Sequence, residues 1–379
     1  MNGVRRFGLL VAILLVLSSC AGATNAPADH AARRPTPTPT PQPTPTPVPQ
    51  LTLSGLFHPA TPAPTGSDVY TLNATGDIIP GRLVNEAGVK RNDFEWPFHP
   101  TASYVANADL TYINLESPLL AGCQVDELGL NFCGDPRWIQ GLKSLGTDVA
   151  NLAADHIYPG PDTTATSQLL EANGIQVTAT LGPPVVMAVR GMQFAFVSCN
   201  AIDSTPVNRS ALVADVQAAR SLVPNGIVVV QFHWGKEYVR LPAPEPGVAP
   251  DNPVDLGHLA IDAGADLVVG NHPHWVQAEE IYKNHLITYS LGNYVFDQVN
   301  CYPPIGPDYA TYCSGDTRTS VIGTFTFQGT HLVAVTWKPT YTDTALQTQW
   351  ADPARAASVL HTMEQASDQL AAQLGEPAS

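Results

Sequence analysis

The sequence predicts an α/β domain built on mixed β-sheet, and three observations carry the prediction. Short apolar runs rich in β-branched and aromatic residues alternate with helix-length stretches between residues 69 and 290. Asn173-Gly174 and Ala263-Gly264 supply helix stops between those runs. Near the end, β-type runs at 321–327 and 331–338 flank Gln328-Gly329-Thr330, a hairpin signal that brings antiparallel pairing into the sheet.

In chain order, strands are predicted at 69–74, 110–115, 149–153, 193–199, 227–232, 265–269 and 286–290. Helices are predicted at 162–172, 211–221 and 254–263. The Ala-rich stretch 353–374 predicts a C-terminal helix that packs on the domain. The predicted domain therefore runs from 67 to 345, and residues 346–379 form a helical C-terminal segment.

Upstream the chain reads differently. Arg5 and Arg6 precede an apolar run at 7–17, shorter than the about 20 residues a bilayer span needs. Leu17-Ser18-Ser19-Cys20 follows, so residues 1–20 predict a secretory signal. The same segment resembles the bacterial lipobox, in which Cys20 becomes the lipid-bearing first residue of the mature chain. Residues 21–66 read as a Pro/Thr-rich linker. Its repeat at 35–49 cannot bury apolar surface and favours polyproline II, which at about 3.1 Å per residue reaches roughly 45 Å. The expected location is outside the cytoplasm, held to the cell membrane by lipid at Cys20. Cysteine usage agrees. Cys123 with Cys133 and Cys301 with Cys313 each flank a short loop and predict disulfides suited to an oxidising compartment, while Cys199 lies in an apolar run and predicts a buried thiol.

Charge restricts the partners. With 18 Lys and Arg against 33 Asp and Glu the formal net charge is −15, which argues against a nucleic-acid binder and against electrostatic docking on an anionic membrane. An anionic substrate would have to be received at a local positive feature, a metal or a few arginines.

Chemistry collects at the predicted strand ends. Gly76-Asp77-Ile78-Ile79-Pro80-Gly81-Arg82, Asn114-Leu115-Glu116, Asp155-His156, His233-Trp234-Gly235-Lys236-Glu237 and Gly270-Asn271-His272-Pro273-His274 each follow a strand candidate. Ligands of α/β sheets gather at carboxyl ends of strands, and imidazole with carboxylate is the donor set of divalent transition metals. Pro273 biases His272 toward an extended backbone, in which residues two apart face one side. Both imidazoles are then expected to point into one cavity, as ligands for adjacent metals.

These residues resemble the CapA family of capsule and poly-γ-glutamate biosynthesis proteins. The matching segments are Gly76-Asp77 through Gly81-Arg82, Asn114-Leu115-Glu116-Ser117-Pro118, His233 through Tyr238, Asp262-Ala263-Gly264-Ala265-Asp266, and the run from Gly270 to His274 continued by Tyr289 to Asp297. The resemblance spans roughly residues 69–340. It implies a metallophosphoesterase-like sandwich of two mixed β-sheets flanked by helices. It also implies two divalent metal ions (Mn, Fe or Zn). Asp77 and His274 would be ligands of the first, His233 and His272 of the second, and Glu116 the bridging carboxylate. Asp155 would be a further ligand, in a place where the family usually has Asn. His156 would act as general acid or stabilise the developing charge, and Arg82 would hold an anionic group of the substrate. Ile79 stands where typical metallophosphoesterases carry a histidine, and the Asp and Gly that usually follow the family's histidine are replaced by Ile157-Tyr158-Pro159-Gly160-Pro161-Asp162, which leaves open whether Asp162 takes that place.

The activity implied is a metal-dependent hydrolase or transferase that builds or attaches a capsule-type polymer. Two alternatives stay open: a phosphoesterase acting on nucleotides or phosphorylated glycans, and a non-catalytic envelope assembly protein. The implied partners are an anionic polymer or phosphorylated substrate, and other envelope biosynthesis proteins.

Overall fold

The computed structural model describes residues 50–123, 132–157, 160–299 and 314–375. The signal segment with Cys20, the Pro/Thr repeat and the Cys301/Cys313 pair lie outside the described residues.

Two mixed sheets form the centre. The first contains β1 (Val69–Ile78), β2 (Leu110–Leu115), β3 (Val149–Asn151) and β4 (Gln176–Thr178), all parallel neighbours in that order. On the other side of β1 it continues antiparallel through β12 (Thr319–Gln328), β13 (His331–Thr342) and β14 (Thr348–Trp350), while β11 (Asn293–Val295) pairs parallel with the end of β1. The second sheet runs β5 (Val185–Val189), β6 (Met192–Asn200), β7 (Ile227–His233), β8 (Leu267–Asn271), β10 (His285–Thr288), β9 (Glu279–Tyr282). Its inner strands are parallel and its two outer pairings antiparallel.

The side-chain alternation of each strand explains the layering. Leu72 and Ala74 of β1, Tyr112 of β2, Phe194 and Phe196 of β6 and Val229 of β7 meet in one core between the sheets. The intervening residues Ala195, Val197, Val228 and Val230 face outward, where α6 (Arg209–Leu222) and α7 (Pro253–Ala263) cover them with Leu212, Val216, Leu256 and Ala260. On the far side, Ile113 and Leu115 pack with Val84, Leu142 and Leu170 from α2 (Arg82–Arg91), α4 (Ile139–Ser144) and α5 (Pro161–Ala172). Strands buried on both faces read as continuous apolar runs, and every residue of β2 and β7 is buried. The result is the sandwich of two mixed β-sheets flanked by helices that the resemblance implied.

Two helices complete the shell. α8 (Pro353–Leu374) is capped by Asp352, which accepts from the backbone N–H of Ala354 and Arg355, and it places Val359, Met363 and Ala371 in the core between the sheets. The helix α1 (Leu53–Phe57) lies inside the segment read as linker. Thr52 caps it, and Leu53 and Leu56 join the same core, so ordered chain begins earlier than Val69. The short α3 (Ala102–Val105) precedes β2.

Candidate metal centre

Parallel strands bring their carboxyl ends to one edge, and here both sheets present that edge together. In register, Asp77 stands beside Asn114, Asn114 beside Asn151, and His233 beside Asn271. Side-chain amides tie the strand ends across the sandwich. Asn151 Nδ2 donates to Asn114 Oδ1 at 2.7 Å, and Asn114 Nδ2 donates to Asp77 Oδ1 at 2.9 Å. From the other sheet, Gln231 Nε2 donates to Asn271 Oδ1 at 2.6 Å, and Asn271 Nδ2 donates to Asp77 Oδ1 at 2.9 Å. Two glycines permit the crowding. A Cβ at Gly76 would lie 2.1 Å from the Gly292 carbonyl oxygen, and one at Gly270 2.2 Å from that of Tyr289.

The predicted residues come together as three overlapping groups: Asp77 with Glu116 and His274; Asp155 with His233 and His272; and Glu116 with Asp155 and His156. His274 Nδ1 is 3.3 Å from Asp77 Oδ2. His233 Nε2 is 2.9 Å from Asp155 Oδ1, 3.2 Å from His272 Nδ1 and 4.0 Å from Glu116 Oε1. His156 Nε2 is 3.6 Å from Asp155 Oδ2 and 3.9 Å from Glu116 Oε1. Glu116 thus stands between the group around His274 and the group around His233.

The donor set fits divalent metal. Two imidazole nitrogens 3.2 Å apart match the spacing of two ligands on one tetrahedral ion with bonds of about 2.0–2.1 Å. That distance also suits an N–H···N hydrogen bond, so the unpaired atoms decide. Asp77 Oδ2 and both carboxylate oxygens of Glu116, between the imidazoles, are buried without a hydrogen-bond partner. Buried polar atoms are rarely left so, least of all several in one place.

The electrostatics agree. Burial pushes the Glu116 carboxyl well above the usual range, and the Asp77, Asp155 and Glu237 carboxylates push it further. At Asp77 burial acts upward, but contact with His274 and the charges of His274 and His233 outweigh it and hold the carboxyl below its ordinary value. At Asp155 burial is likewise outweighed, here by the hydrogen bond and charge of His233, and the carboxyl falls. Burial and the His233 charge bring His272 down to about 3. For His274 burial is overcome by Asp77 and Glu237, which raise it to about 9. Four carboxylates converge on a few imidazoles, an excess of negative charge that two divalent cations would offset.

The His272-Pro273-His274 backbone differs from expectation. His272 has φ 96° and His274 φ 60°, so neither is the extended residue that Pro273 was expected to enforce. Both adopt a conformation that costs about 1–3 kcal/mol outside glycine and is concentrated at functional sites. The surrounding hydrogen bonds hold it: Trp234 N–H donates to the Asn271 carbonyl and Tyr238 N–H to that of Pro273. In consequence the two rings serve different groups. His272 turns to His233, whereas His274 turns to Asp77 and to Asn293 Oδ1 at 2.8 Å.

Arg82 pairs through Nε and Nη2 with both carboxylate oxygens of Asp297, and its guanidinium lies 4.6 Å from the Phe132 ring centroid and 4.9 Å from that of Phe296. Phe132 also packs on His156, with ring centroids 3.9 Å apart. Asp162 is exposed in the first turn of α5 and belongs to none of the three groups. Sequence reasoning missed Glu237, whose carboxylate is 3.6 Å from His274 Nε2, although it ends the His233 motif. It also missed the orienting amides Asn114, Asn151, Asn271 and Asn293.

Cys123 and Cys133 form a disulfide across ten positions, and Phe132 is the neighbour of the second cysteine. Closing a loop of that length is worth about 2–3 kcal/mol in the chain-entropy account. Cys123→Ser should lower the unfolding free energy in urea by about that amount while bound metal stays unchanged. An unaltered denaturation midpoint would show that the bridge constrains nothing.

Comparison with known proteins places the chain. The family described as "Bacterial capsule synthesis protein PGA_cap" matches residues 71–298. "Capsule biosynthesis protein CapA" of Bacillus anthracis is 30% identical over 263 residues, 61% of this chain and 61% of that relative. "PGA biosynthesis protein CapA" of Bacillus subtilis is 34% identical over 264 residues, 61% of this chain and 64% of that relative. A "Probable polyglutamine synthesis accessory protein" of Mycobacterium tuberculosis is 28% identical over 263 residues, 60% of this chain and 67% of that relative. The chain thus spans less than two thirds of the first two relatives. Since the matched segment runs from β1 past β11 and contains all three ligand groups, the chain belongs to the bacterial capsule synthesis protein family.

Proposed function

We propose that this chain is a metal-dependent hydrolase or transferase acting on an anionic capsule-type polymer such as poly-γ-glutamate, or on its attachment to the cell envelope. The observation that carries the reading is the set of buried, unpaired carboxylate oxygens of Asp77 and Glu116, gathered with imidazoles from the other sheet into the three groups. The printed names of the relatives, which concern capsule, PGA and polyglutamine synthesis, support the polymer class. We place the protein outside the cytoplasm, lipid-anchored at Cys20 by the segment 1–20. Among the described residues no helix is long and apolar enough to cross a membrane.

In this reading Asp77, Glu116 and His274 would hold one divalent ion, and Asp155, His233 and His272 the other, with Glu116 close enough to serve both. Bound ions of this kind supply a nucleophilic hydroxide near neutral pH and stabilise developing negative charge. The protein's own groups do the rest. His156 Nε2, facing Asp155 and Glu116, carries the proton for the leaving group. Arg82, already bonded to Asp297, keeps a fixed positive charge close enough to pull the Glu116 carboxyl downward against burial. The Phe132 and Phe296 rings wall His156 and Arg82 from water.

The test is metal stoichiometry of the purified full chain, followed by assays on poly-γ-glutamate and on a generic phosphodiester. About two equivalents of metal with cleavage or transfer of γ-glutamyl polymer is the expected result. Less than one equivalent would replace this reading with the assembly-protein alternative, and phosphodiester cleavage alone would replace it with the phosphoesterase one.

A further inference from the structure

A second charged feature lies outside the three ligand groups. A cavity of about 280 Å³ opens between α8, the strands β12 and β13, and the loop after β7. Arg240, Arg355, Thr319, Tyr341, Ser358 and Thr362 line it. The α8 contributors recur at the spacing of one helical face, so the first two turns of the helix form one wall.

The lining is positive in a chain of net charge −15. Arg240 is matched by Asp316, its Nη2 2.5 Å from Oδ1, and is held by the Val276 carbonyl and the Trp275 ring. Arg355 is matched far less well. Its guanidinium lies 3.4 Å from the Tyr341 ring centroid, its one carboxylate neighbour among the described residues, Asp352, is 3.9 Å away and mostly exposed, and its Nη1 is buried with no hydrogen-bond partner. The side chain as a whole is 37% exposed, so its other guanidinium N–H groups are the ones an anion entering the cavity would meet. Hydroxyls of Tyr341 and Ser358 are there to add neutral donors, whereas those of Thr319 and Thr362 already donate to the Gly315 and Ser358 carbonyls.

The same lining limits the anion. One cation in excess matches one negative charge, and the first free amides of α8 are already taken by Asp352. A single excess positive charge suits a carboxylate better than a phosphate dianion. Position adds to this. Val276 of the lining is two residues from His274, and Asn293 bonds both His274 and the Thr317 carbonyl next to Asp316. The cavity is therefore linked to the ligand cluster through the chain from His274 to Val276 and through Asn293.

We propose that this cavity is a carboxylate-binding subsite, centred on Arg355 and Arg240, that grips an acidic chain beside the metal centre. The inference rests on the polymer reading above only for its choice of probe, and its test needs neither metal nor turnover. The full chain is treated with EDTA and titrated with γ-linked tetraglutamate, with γ-linked tetraglutamine and inorganic phosphate as the other arms. Without metal the acidic ligand cluster repels anions, so saturable binding reports on the cavity. Tetraglutamate should bind, the neutral amide should not, and phosphate should be weaker. Arg355→Gln should weaken tetraglutamate at least about tenfold, as one lost charge-assisted pair implies. Because Arg355 also packs on Tyr341, Ser358→Glu is the second variant. It leaves that packing intact, keeps a good helix former at an exposed site and sets a carboxylate against the ligand, so it should weaken binding as much. Absent binding, unchanged affinity in Ser358→Glu, or phosphate binding as tightly as tetraglutamate would each overturn the assignment, whatever the metal assays show.

Discussion

His272→Ala is expected to cut bound metal from about two equivalents to about one and to lower turnover by at least about 10³-fold, with the fold retained. The imidazole sits between His233 and the edge of the Asp77 group, its Nδ1 3.2 Å from His233 Nε2 and its backbone N–H 3.5 Å from Asp77 Oδ1. Removing it leaves Asp155, His233 and the shared Glu116, and takes away one of the two imidazoles that would favour a transition metal there. Structural loss should be small. The residue packs no core cluster, and its φ of 96° is strained for either side chain. Metal analysis by mass spectrometry, circular dichroism and turnover on the same preparation check it. Retention of both ions with full activity would remove His272 from the site.

Glu116→Gln should act with opposite signs on stability and on metal. Glu116 is fully buried with both oxygens unpaired and three carboxylates nearby. Its carboxyl is raised in the folded protein, so the native state holds the proton more tightly than the unfolded chain does. That contribution is complete below the unfolded carboxyl range of about 4.3 and is lost as pH rises through the folded value. At pH 7 to 8, where the unfolded chain carries this carboxyl ionised, its burial therefore costs metal-free protein stability, by roughly 1–3 kcal/mol if it is priced as one unpaired buried group. The glutamine variant, stripped of metal, should be more stable by that order at pH 8 and equal to the parent near pH 4. The same variant should lose metal affinity at least about 100-fold, because an amide cannot bridge two cations as a carboxylate does. A less stable metal-free variant at pH 8 would refute the electrostatic account.

Much of this architecture is legible in the residue pattern, for physical reasons that vary by element. β2 and α8 match their predicted bounds because an apolar β-branched run and an Ala-rich amphipathic run have few other readings. β9 was not legible, since Glu279 and Glu280 put charge where the fold has buried positions. Its turn to β10 uses Lys283 and Asn284, both at positive φ, a tight hairpin without the usual glycine signal. Half-exposed β5 and the three-residue β11 carry too little pattern to be read. At the site, the types and order of the acidic and histidine residues were readable. Their division into groups came from the family likeness. The amides Asn114, Asn151 and Asn271 were not readable as orienting groups, because an asparagine after a strand is equally a turn residue.

The strand ends that supply the donors belong to two different sheets, with Asp77, Glu116 and Asp155 from one and His233, His272 and His274 from the other. Any ion held by such a set is a clasp between halves of the sandwich, and its strength depends on supply. Free metal at a hundred times its dissociation constant adds about 2.7 kcal/mol to the folded state, and a chelator takes that away. The thermal midpoint of this protein should therefore follow the metal content of its surroundings, so that scarcity loosens the whole domain along with its chemistry.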